Sequence, residues 1–170
     1  MREIIFIGDS LIEYYDWNDR FPQHRVHNLG WSGETLEGLR TRVGSYEQRP
    51  KPDFIFIMSG TNNIAREETG VIMTYREIIN QFHNTFPDAR IFIHSIPPML
   101  LPWVKPEVIT QVNDKLRQLA DETGCGYVDI HTLFLQAGVE ECLEEDGVHI
   151  CEKGYEIWSA LIEDILKHNP

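Results

Sequence analysis

Short apolar runs alternate along the chain with stretches in which apolar residues recur at helical spacing. Several of the runs are apolar at every position rather than at alternate positions, which is typical of parallel strands covered on both faces. Each run ends near glycine, proline or a polar residue, so each run corresponds to one strand. The predicted strands are Glu3–Gly8, His24–Leu29, Asp53–Ser59, Ala89–Ile96 and Gly126–Ile130.

The segments between these strands predict amphipathic helices. Ile78, Ile79 and Phe82 form an apolar stripe of this kind, as expected for a helix that packs on a sheet. The alternation of strand and helix implies right-handed crossovers and a three-layer α/β/α sandwich, in which ligands bind beyond the carboxyl ends of the strands. The predicted helices are Thr35–Gln48, Thr74–Phe86, Pro106–Glu122 and, approximately, Glu152–Lys167.

Length and charge narrow the class of protein. A chain of 170 residues is expected to form a single domain, residues 1–170. The formal net charge of −12, with no basic stripe, argues against a nucleic-acid partner and against docking on anionic membranes. No apolar run approaches the roughly 20 residues needed to cross a bilayer, so we expect no stable membrane insertion.

The cysteines bear on the compartment. Cys125, Cys142 and Cys151 are three in number and lack CxxC spacing, which fits a reducing compartment, although a disulfide between Cys142 and Cys151 stays open. The first predicted strand begins close to Met1 and leaves no room for the charged and apolar regions of a signal peptide. We therefore expect a cytoplasmic protein.

Three segments that follow predicted strands carry groups suited to acyl transfer. Ser10, in Gly8-Asp9-Ser10-Leu11, lies where a helix should begin, and its hydroxyl would stand beside helix N–H donors. A serine hydroxyl needs a base and an oxyanion site before it can attack an ester. Gly33 just precedes a helix, so its N–H can face developing negative charge, and the Asn62 amide offers uncharged donors.

A fourth segment, just before the last predicted helix, supplies the base. Histidine is the side chain suited to act as a base near neutral pH, and Asp146, three positions before His149, can hold the tautomer of the ring and stabilise its charged form. Asp9 adjoins the serine and is a competing acid. Because adjacent side chains at a helix start point apart, we interpret Asp9 as a cap or loop brace. Taken singly, each segment is also explained as an ordinary turn or cap.

Taken together, the four segments resemble the GDSL esterase/lipase family, in particular its SGNH-hydrolase subset. The resemblance follows the family's order over nearly the whole chain, from Gly8–Leu11 to Asp146–His149. It implies a flavodoxin-like fold with a five-stranded parallel sheet in the order 2-1-3-4-5. Asn63 stands where the family commonly has aspartate, which alters a supporting group beside Asn62. The implied roles are nucleophile for Ser10, base for His149, orienting acid for Asp146, and oxyanion donors for Ser10, Gly33 and Asn62.

The resemblance implies a hydrolase of small carboxylic esters, acetyl esters or lysophospholipid-type lipids that acts through an acyl-enzyme without a metal or cofactor. The apolar run Pro97–Trp103 would line an acyl or alcohol pocket, form a contact between two copies of the chain, or be an ordinary buried loop. Whether the chain forms a homo-oligomer therefore stays open. Tyr14 and Trp17 would border the site. The candidate substrate-binding residues are Trp31, Asn63, Met99, Leu100 and Trp103.

Two other classes of protein fit parts of the pattern. One is a non-enzymatic small-ligand-binding module on the same fold, in which Ser10 and the glycine turns receive a small anion. The chain lacks the Gly-x-x-x-x-Gly-Lys-[Ser/Thr] and Gly-x-Gly-x-x-Gly fingerprints of nucleotide sites, so these motifs give a binding module no support. The other is a metal-dependent hydrolase using Asp9, Asp146 and His149, for which no HExxH motif or dense ligand cluster is present.

Overall fold

A five-stranded parallel sheet forms the centre of the computed structural model, which describes residues 1–169. The strands lie in the order β2-β1-β3-β4-β5, and all four pairings between them are parallel. The predicted α/β fold class and strand order are therefore confirmed. The strands are β1 (Glu3–Gly8), β2 (Arg25–Gly30), β3 (Phe54–Met58), β4 (Arg90–His94) and β5 (Gly126–Val128).

Nine helices occur within residues 1–169. Four of them are short segments, between strands or before the last helix, that the apolar spacing did not predict, because a helix of one or two turns shows no periodicity. These four are α2, α4, α7 and α8. The helices are α1 (Ser10–Glu13), α2 (Trp17–Arg20), α3 (Leu36–Arg42), α4 (Thr61–Ala65), α5 (Ile72–Thr85), α6 (Pro106–Thr123), α7 (Ile130–Ala137), α8 (Val139–Cys142) and α9 (Glu152–His168).

The sheet has a separate apolar core on each face, because successive side chains of a strand point to opposite sides. Ile5 and Ile7 of β1 belong to the core that includes α3, α5 and α6. Ile4 and Phe6 belong to the other core, where the Phe6 ring stacks on Trp17 with centroids 4.2 Å apart. The continuous apolar runs of the sequence thus correspond to strands buried on both faces.

Three predicted boundaries are wrong by a few residues. β4 ends at His94 instead of Ile96, because the side-chain amide of Asn113 in α6 bonds both the N–H and the C=O of Ile96, at 2.7 and 2.9 Å. β5 ends at Val128, since Asp129 caps α7. The helix predicted to reach Gln48 ends at Arg42 and continues only as a 3-10 turn, Val43–Tyr46.

Two further features concern the cysteines and the helices. Cys125, Cys142 and Cys151 are free thiols. None of the helices in the described residues is long and apolar enough to cross a membrane.

Gly8, the last residue of β1, fixes where the chain leaves the sheet. It lies opposite Gly30 of β2 and Met58 of β3. A Cβ at this position would stand 1.7 Å from the carbonyl oxygen of Met58, so only glycine fits between the strands. Ser10 follows two residues later, at the same edge of the sheet as the segments that follow β2 and β3.

We expect Gly8→Ala to destabilise the fold by roughly 3 kcal/mol, because the methyl group must push β1 and β3 apart. Chemical denaturation monitored by tryptophan fluorescence measures the change. Gly44→Ala is the matched control, since a Cβ there meets no atom within 4 Å. Equal stability of the two variants would contradict the close strand contact.

Candidate active site

Ser10, His149 and Asp146 form a hydrogen-bonded chain at the carboxyl edge of the sheet. Ser10 Oγ lies 3.1 Å from His149 Nε2, and His149 Nδ1 lies 2.5 Å from Asp146 Oδ2. An ionised carboxylate only accepts hydrogen bonds, so Nδ1 carries a proton and donates it. In the neutral imidazole, Nε2 is then the acceptor for the serine hydroxyl. The imidazole is thus oriented to take a proton from Ser10.

The loop that carries Asp146 and His149 is held by hydrogen bonds within the loop. Asp146 Oδ1 accepts hydrogen bonds from the N–H groups of Val148 and His149, both at 2.9 Å. Glu144 N–H donates to the carbonyl oxygen of His149 at 2.7 Å, and Gly147 N–H donates to that of Glu144 at 3.0 Å. These bonds make the three-residue spacing a compact turn with both side chains on one side.

The Asp146 carboxyl is held in its ionised form. Partial burial alone would raise its pKa, but the hydrogen bond with His149 and the two backbone N–H groups outweigh that effect and lower the pKa to about 2. Protonated histidine is therefore always faced by a negative charge. The Tyr14 ring also stacks on the His149 ring, with centroids 5.4 Å apart.

Asp9 lies beneath the site and is fully buried. Its Oδ1 accepts the N–H of Leu11 at 3.0 Å and caps α1, whereas Oδ2 has no hydrogen-bond partner among the described residues. Burial raises the pKa of this carboxyl to about 7, against the opposing effects of the Leu11 N–H and the Thr61 hydroxyl. It makes no hydrogen bond to His149 within residues 1–169.

The other candidate donors lie in the segments that follow β2 and β3. Gly33 is exposed and has a φ of 76°, which a residue with a side chain rarely adopts. Asn62 is the second residue of α4 and half-buried, and its Nδ2 donates to the carbonyl oxygen of Glu34 at 2.9 Å. That bond uses one amide hydrogen and orients the other. The Asn62 amide is thus attached to the turn that contains Gly33.

Three of the predicted substrate-binding residues are exposed near these groups. Trp31 is 65% exposed, Leu100 49% and Trp103 55%. The N–H of Leu100 donates to the carbonyl oxygen of Gly147, and Trp103 Nε1 donates to that of Ala65, at 2.8 and 2.9 Å. The loop after β4 therefore connects the turn of residues 146–149 with α4.

Asn63 and Met99 do not line the site, so this part of the prediction is wrong. Asn63 is 1% exposed: its Oδ1 accepts the N–H of Leu36, and its Nδ2 donates to the carboxylates of Glu37 and Glu68. Met99 is 4% exposed and packs in the core with α5 and α6. Asn63 thus braces α3 against α4.

Two further expectations are corrected by burial. Of the alternatives for residues 97–103, an ordinary buried loop is right for Pro97, Pro98 and Met99, whereas Leu100 and Trp103 reach the surface. Trp17 is fully buried against Phe6 and does not border the site. Within residues 1–169, no three histidine, cysteine, aspartate or glutamate side chains are grouped so that they could hold a metal ion.

Three charged residues around Gly33 were not singled out by the sequence. Glu34 belongs to the turn, and Glu13 and Arg42 bond to it. The guanidinium of Arg42 bonds partners 8 and 34 positions away along the chain. No local spacing shows such contacts, because they form only when β1, β2 and α3 come together.

The serine, histidine and aspartate side chains are joined in the same order as in a Ser-His-Asp triad, at the carboxyl edge of a parallel sheet. The profile of the GDSL-like Lipase/Acylhydrolase family matches residues 6–157. The chain therefore belongs to this family of hydrolases.

Curated relatives of the chain carry acetylhydrolase names. The platelet-activating factor acetylhydrolase IB subunit alpha2 of Rattus norvegicus is 27% identical over 157 residues, which are 88% of this chain and 65% of that protein. Its Homo sapiens counterpart is 30% identical over 125 residues, 69% of this chain and 52% of that protein. The chain thus spans less than two thirds of the length of these relatives.

Solved structures share the fold. A lipase/acylhydrolase from Enterococcus faecalis aligns with a TM-score of 0.85 at 22% identity, covering 99% of this chain and 96% of that chain. An acetyl xylan esterase from Geobacillus stearothermophilus aligns with a TM-score of 0.75 at 21% identity, covering 96% and 93%. At these identities the likeness concerns the fold.

The buried Asp9 predicts a pH-dependent stability. Its pKa of about 7 in the fold exceeds the ordinary 3.8, so the folded state binds the proton more tightly. Stability is therefore lost as pH rises from about 4 to about 7, by roughly 4 kcal/mol for this group. Asp9→Asn keeps the oxygen that caps α1 and should remove this loss, as measured by denaturation between pH 4 and 8.

Asp16→Asn is the control for this measurement, because Asp16 caps α2 in the same way but is exposed. Its curve of stability against pH should keep the wild-type shape. A curve for Asp9→Asn that runs parallel to the wild-type curve would show that Asp9 is ionised in the folded protein.

Proposed function

We propose that the chain is an esterase that hydrolyses carboxylic esters by two-step acyl transfer on Ser10. The observation that carries the proposal is the hydrogen-bonded chain from Ser10 through His149 to Asp146. Ser10 lies at the same edge of the sheet as the Gly33 turn and Asn62. Membership of a hydrolase family supports the proposal.

In the first step, His149 Nε2 takes the proton of Ser10 Oγ as the oxygen attacks the ester carbonyl carbon. The carbonyl π electrons move to the oxygen, and the N–H groups of Ser10 and Gly33 and the Asn62 amide donate to the resulting oxyanion. Collapse of the tetrahedral intermediate breaks the bond to the alcohol oxygen. The histidine returns its proton to this oxygen, and an acyl-enzyme remains.

In the second step, water replaces the alcohol. His149 takes a proton from the water as it attacks the acyl carbon, and collapse releases the carboxylic acid and returns the proton to Ser10 Oγ. Asp146 stays ionised throughout, keeps the proton on Nδ1 and stabilises the imidazolium in both steps.

We assign short acyl groups, acetyl above all, as the preferred substrates. The apolar side chains beside the site, Trp31, Leu100 and Trp103, are each about half-exposed or more and stand on the surface, so they offer a shallow rim to the ester. The names of the curated relatives support the assignment, since the platelet-activating factor acetylhydrolase subunits are named for the removal of acetyl groups. The three free thiols favour the cytoplasm as the compartment.

Turnover of p-nitrophenyl esters from acetate to laurate tests the function. The proposal predicts hydrolysis that is fastest for acetate, unaffected by chelator, and abolished by Ser10→Ala. Ser159→Ala is the matched control, because Ser159 is also buried but lies within α9 and bonds Arg20 of α2. A protein that turns over no ester is a binding module, and chelator-sensitive turnover indicates a metal enzyme; either result contradicts the proposal.

Asp146→Asn should lower kcat by a factor on the order of 10⁴, because the amide no longer holds the proton on Nδ1. Asp9→Asn should lower it far less, since its amide oxygen still caps α1. Steady-state kinetics on the acetate ester compare the two variants. A greater loss at Asp9 would transfer the role of acid to that residue.

A further inference from the structure

The turn Trp31–Glu34, here called the 31–34 turn, carries a candidate oxyanion donor but has little packing of its own. Trp31, Ser32 and Gly33 are exposed, and a Cβ at Gly33 would meet no atom within 4 Å. An N–H donor must nevertheless be placed within a few tenths of an ångström to stabilise an oxyanion. Its position therefore depends on polar contacts around the turn.

The strongest of these contacts is the ion pair between Glu34 and Arg42. Arg42 Nε and Nη2 donate to the two carboxylate oxygens of Glu34, each at 2.5 Å. The Glu34 side chain is 8% exposed and that of Arg42 is 17% exposed. A two-point guanidinium–carboxylate pair fixes both the distance and the orientation of its members, more so when solvent is excluded.

The same guanidinium also bonds the ends of β1 and β2. The Nη2 hydrogen that does not bond Glu34 is shared between the carbonyl oxygen of Leu29, near the end of β2, at 3.0 Å, and that of Gly8, at the end of β1, at 3.3 Å. Gly8 stands two residues before Ser10. One planar group therefore joins the end of β1, the end of β2 and the last residue of the 31–34 turn.

Aromatic rings keep this group in place. The Trp31 and Tyr46 rings lie with their centroids 6.0 and 5.7 Å from the guanidinium carbon, and Nη1 bonds the Tyr46 hydroxyl. Lysine in place of Arg42 would supply the charge but could not bond two carboxylate oxygens and two carbonyl groups from one plane.

Other hydrogen bonds hold the 31–34 turn from its remaining sides. The N–H of Ser32 donates to Glu13 Oε2 at 2.7 Å, the Ser32 and Tyr14 hydroxyl groups bond at 2.8 Å, and Asn62 donates to the carbonyl oxygen of Glu34.

The first residue of the turn is bonded to β1 directly, because the N–H of Trp31 donates to the carbonyl oxygen of Gly8 at 2.9 Å. Arg42 makes the corresponding connection for Glu34, the residue after Gly33. Without Arg42, Trp31 would stay bonded to Gly8, but the Glu34 side chain would lose its connection to the end of β1.

We propose that Arg42 is a positioning residue that sets the Gly33 N–H relative to Ser10 by clamping Glu34 to the carbonyl groups of Gly8 and Leu29. The inference rests on the proposed esterase function, because it assigns Gly33 to the oxyanion site. Arg42 itself touches no reacting atom. Its effect is therefore on turnover, and substrate binding in the ground state is largely preserved.

The test compares Arg42→Met and Arg42→Lys with Arg40→Met. Arg40 lies on the same helix and pairs with the exposed Glu77, so its loss controls for charge and helix propensity. We expect Arg42→Met to lower kcat for p-nitrophenyl acetate about 30- to 100-fold with KM within about twofold, as a small displacement of a catalytic group does. Arg42→Lys should restore only a part of that loss, and Arg40→Met should match wild type.

A serine-directed phosphonate counts the folded active sites, so that kcat is expressed per competent site. If Arg42→Met does not fold, Glu34→Gln takes its place, since it keeps the shape of the pair and loses its charge; it should lower kcat about tenfold. Asn62→Ala provides the reference for the loss of one oxyanion donor.

The outcomes separate the two proposals. Equal kcat for Arg42→Met and Arg40→Met, or full recovery in Arg42→Lys, would overturn the positioning role while wild-type turnover still depended on Ser10. A loss confined to KM would overturn it as well. Absence of wild-type turnover would overturn the proposed function, and this inference with it.

Discussion

The parallel pairing of β1 with β2 on one side and β3 on the other is the constraint on which the site depends. Gly8 lies opposite both Gly30 and Met58, so three segments leave the sheet at the same level. The close approach of β1 and β3 is open to glycine alone at this point. Ser10, the 31–34 turn and Asn62 are neighbours because these strands pair in this register.

His149, the proposed base, reaches the same edge of the sheet from a segment far along the chain. His149 comes from the turn before α9, which an antiparallel bridge between Leu143 and Ile150 closes and which the N–H of Leu100 joins to the loop after β4. Trp158 and Ile162 of α9 are fully buried in the core on one face of the sheet, whereas α3 and α5 pack on the other face. The distance of 3.1 Å between Ser10 Oγ and His149 Nε2 therefore depends on how α9 packs against the sheet.

The sequence predicts the parts of this arrangement that are local. Continuous apolar runs predict buried strands, and glycine, serine, asparagine and Asp-x-x-His segments at their ends predict where chemistry would lie. Contacts between distant segments leave no such pattern: Asn63 looks like a loop residue and is a brace, and Asn113 ends β4 from within a helix. Met99 shows the same limit, because an apolar loop residue can face the core or the site.

The proposed mechanism requires that Ser10 carry the acyl group. Peptide mapping by mass spectrometry after reaction with a serine-directed phosphonate tests this requirement, because the adduct mimics the tetrahedral intermediate and is stable. We expect one adduct per chain, on the peptide that contains Ser10, and none in Ser10→Ala. An adduct on another residue, or ester turnover that persists in Ser10→Ala, would contradict it.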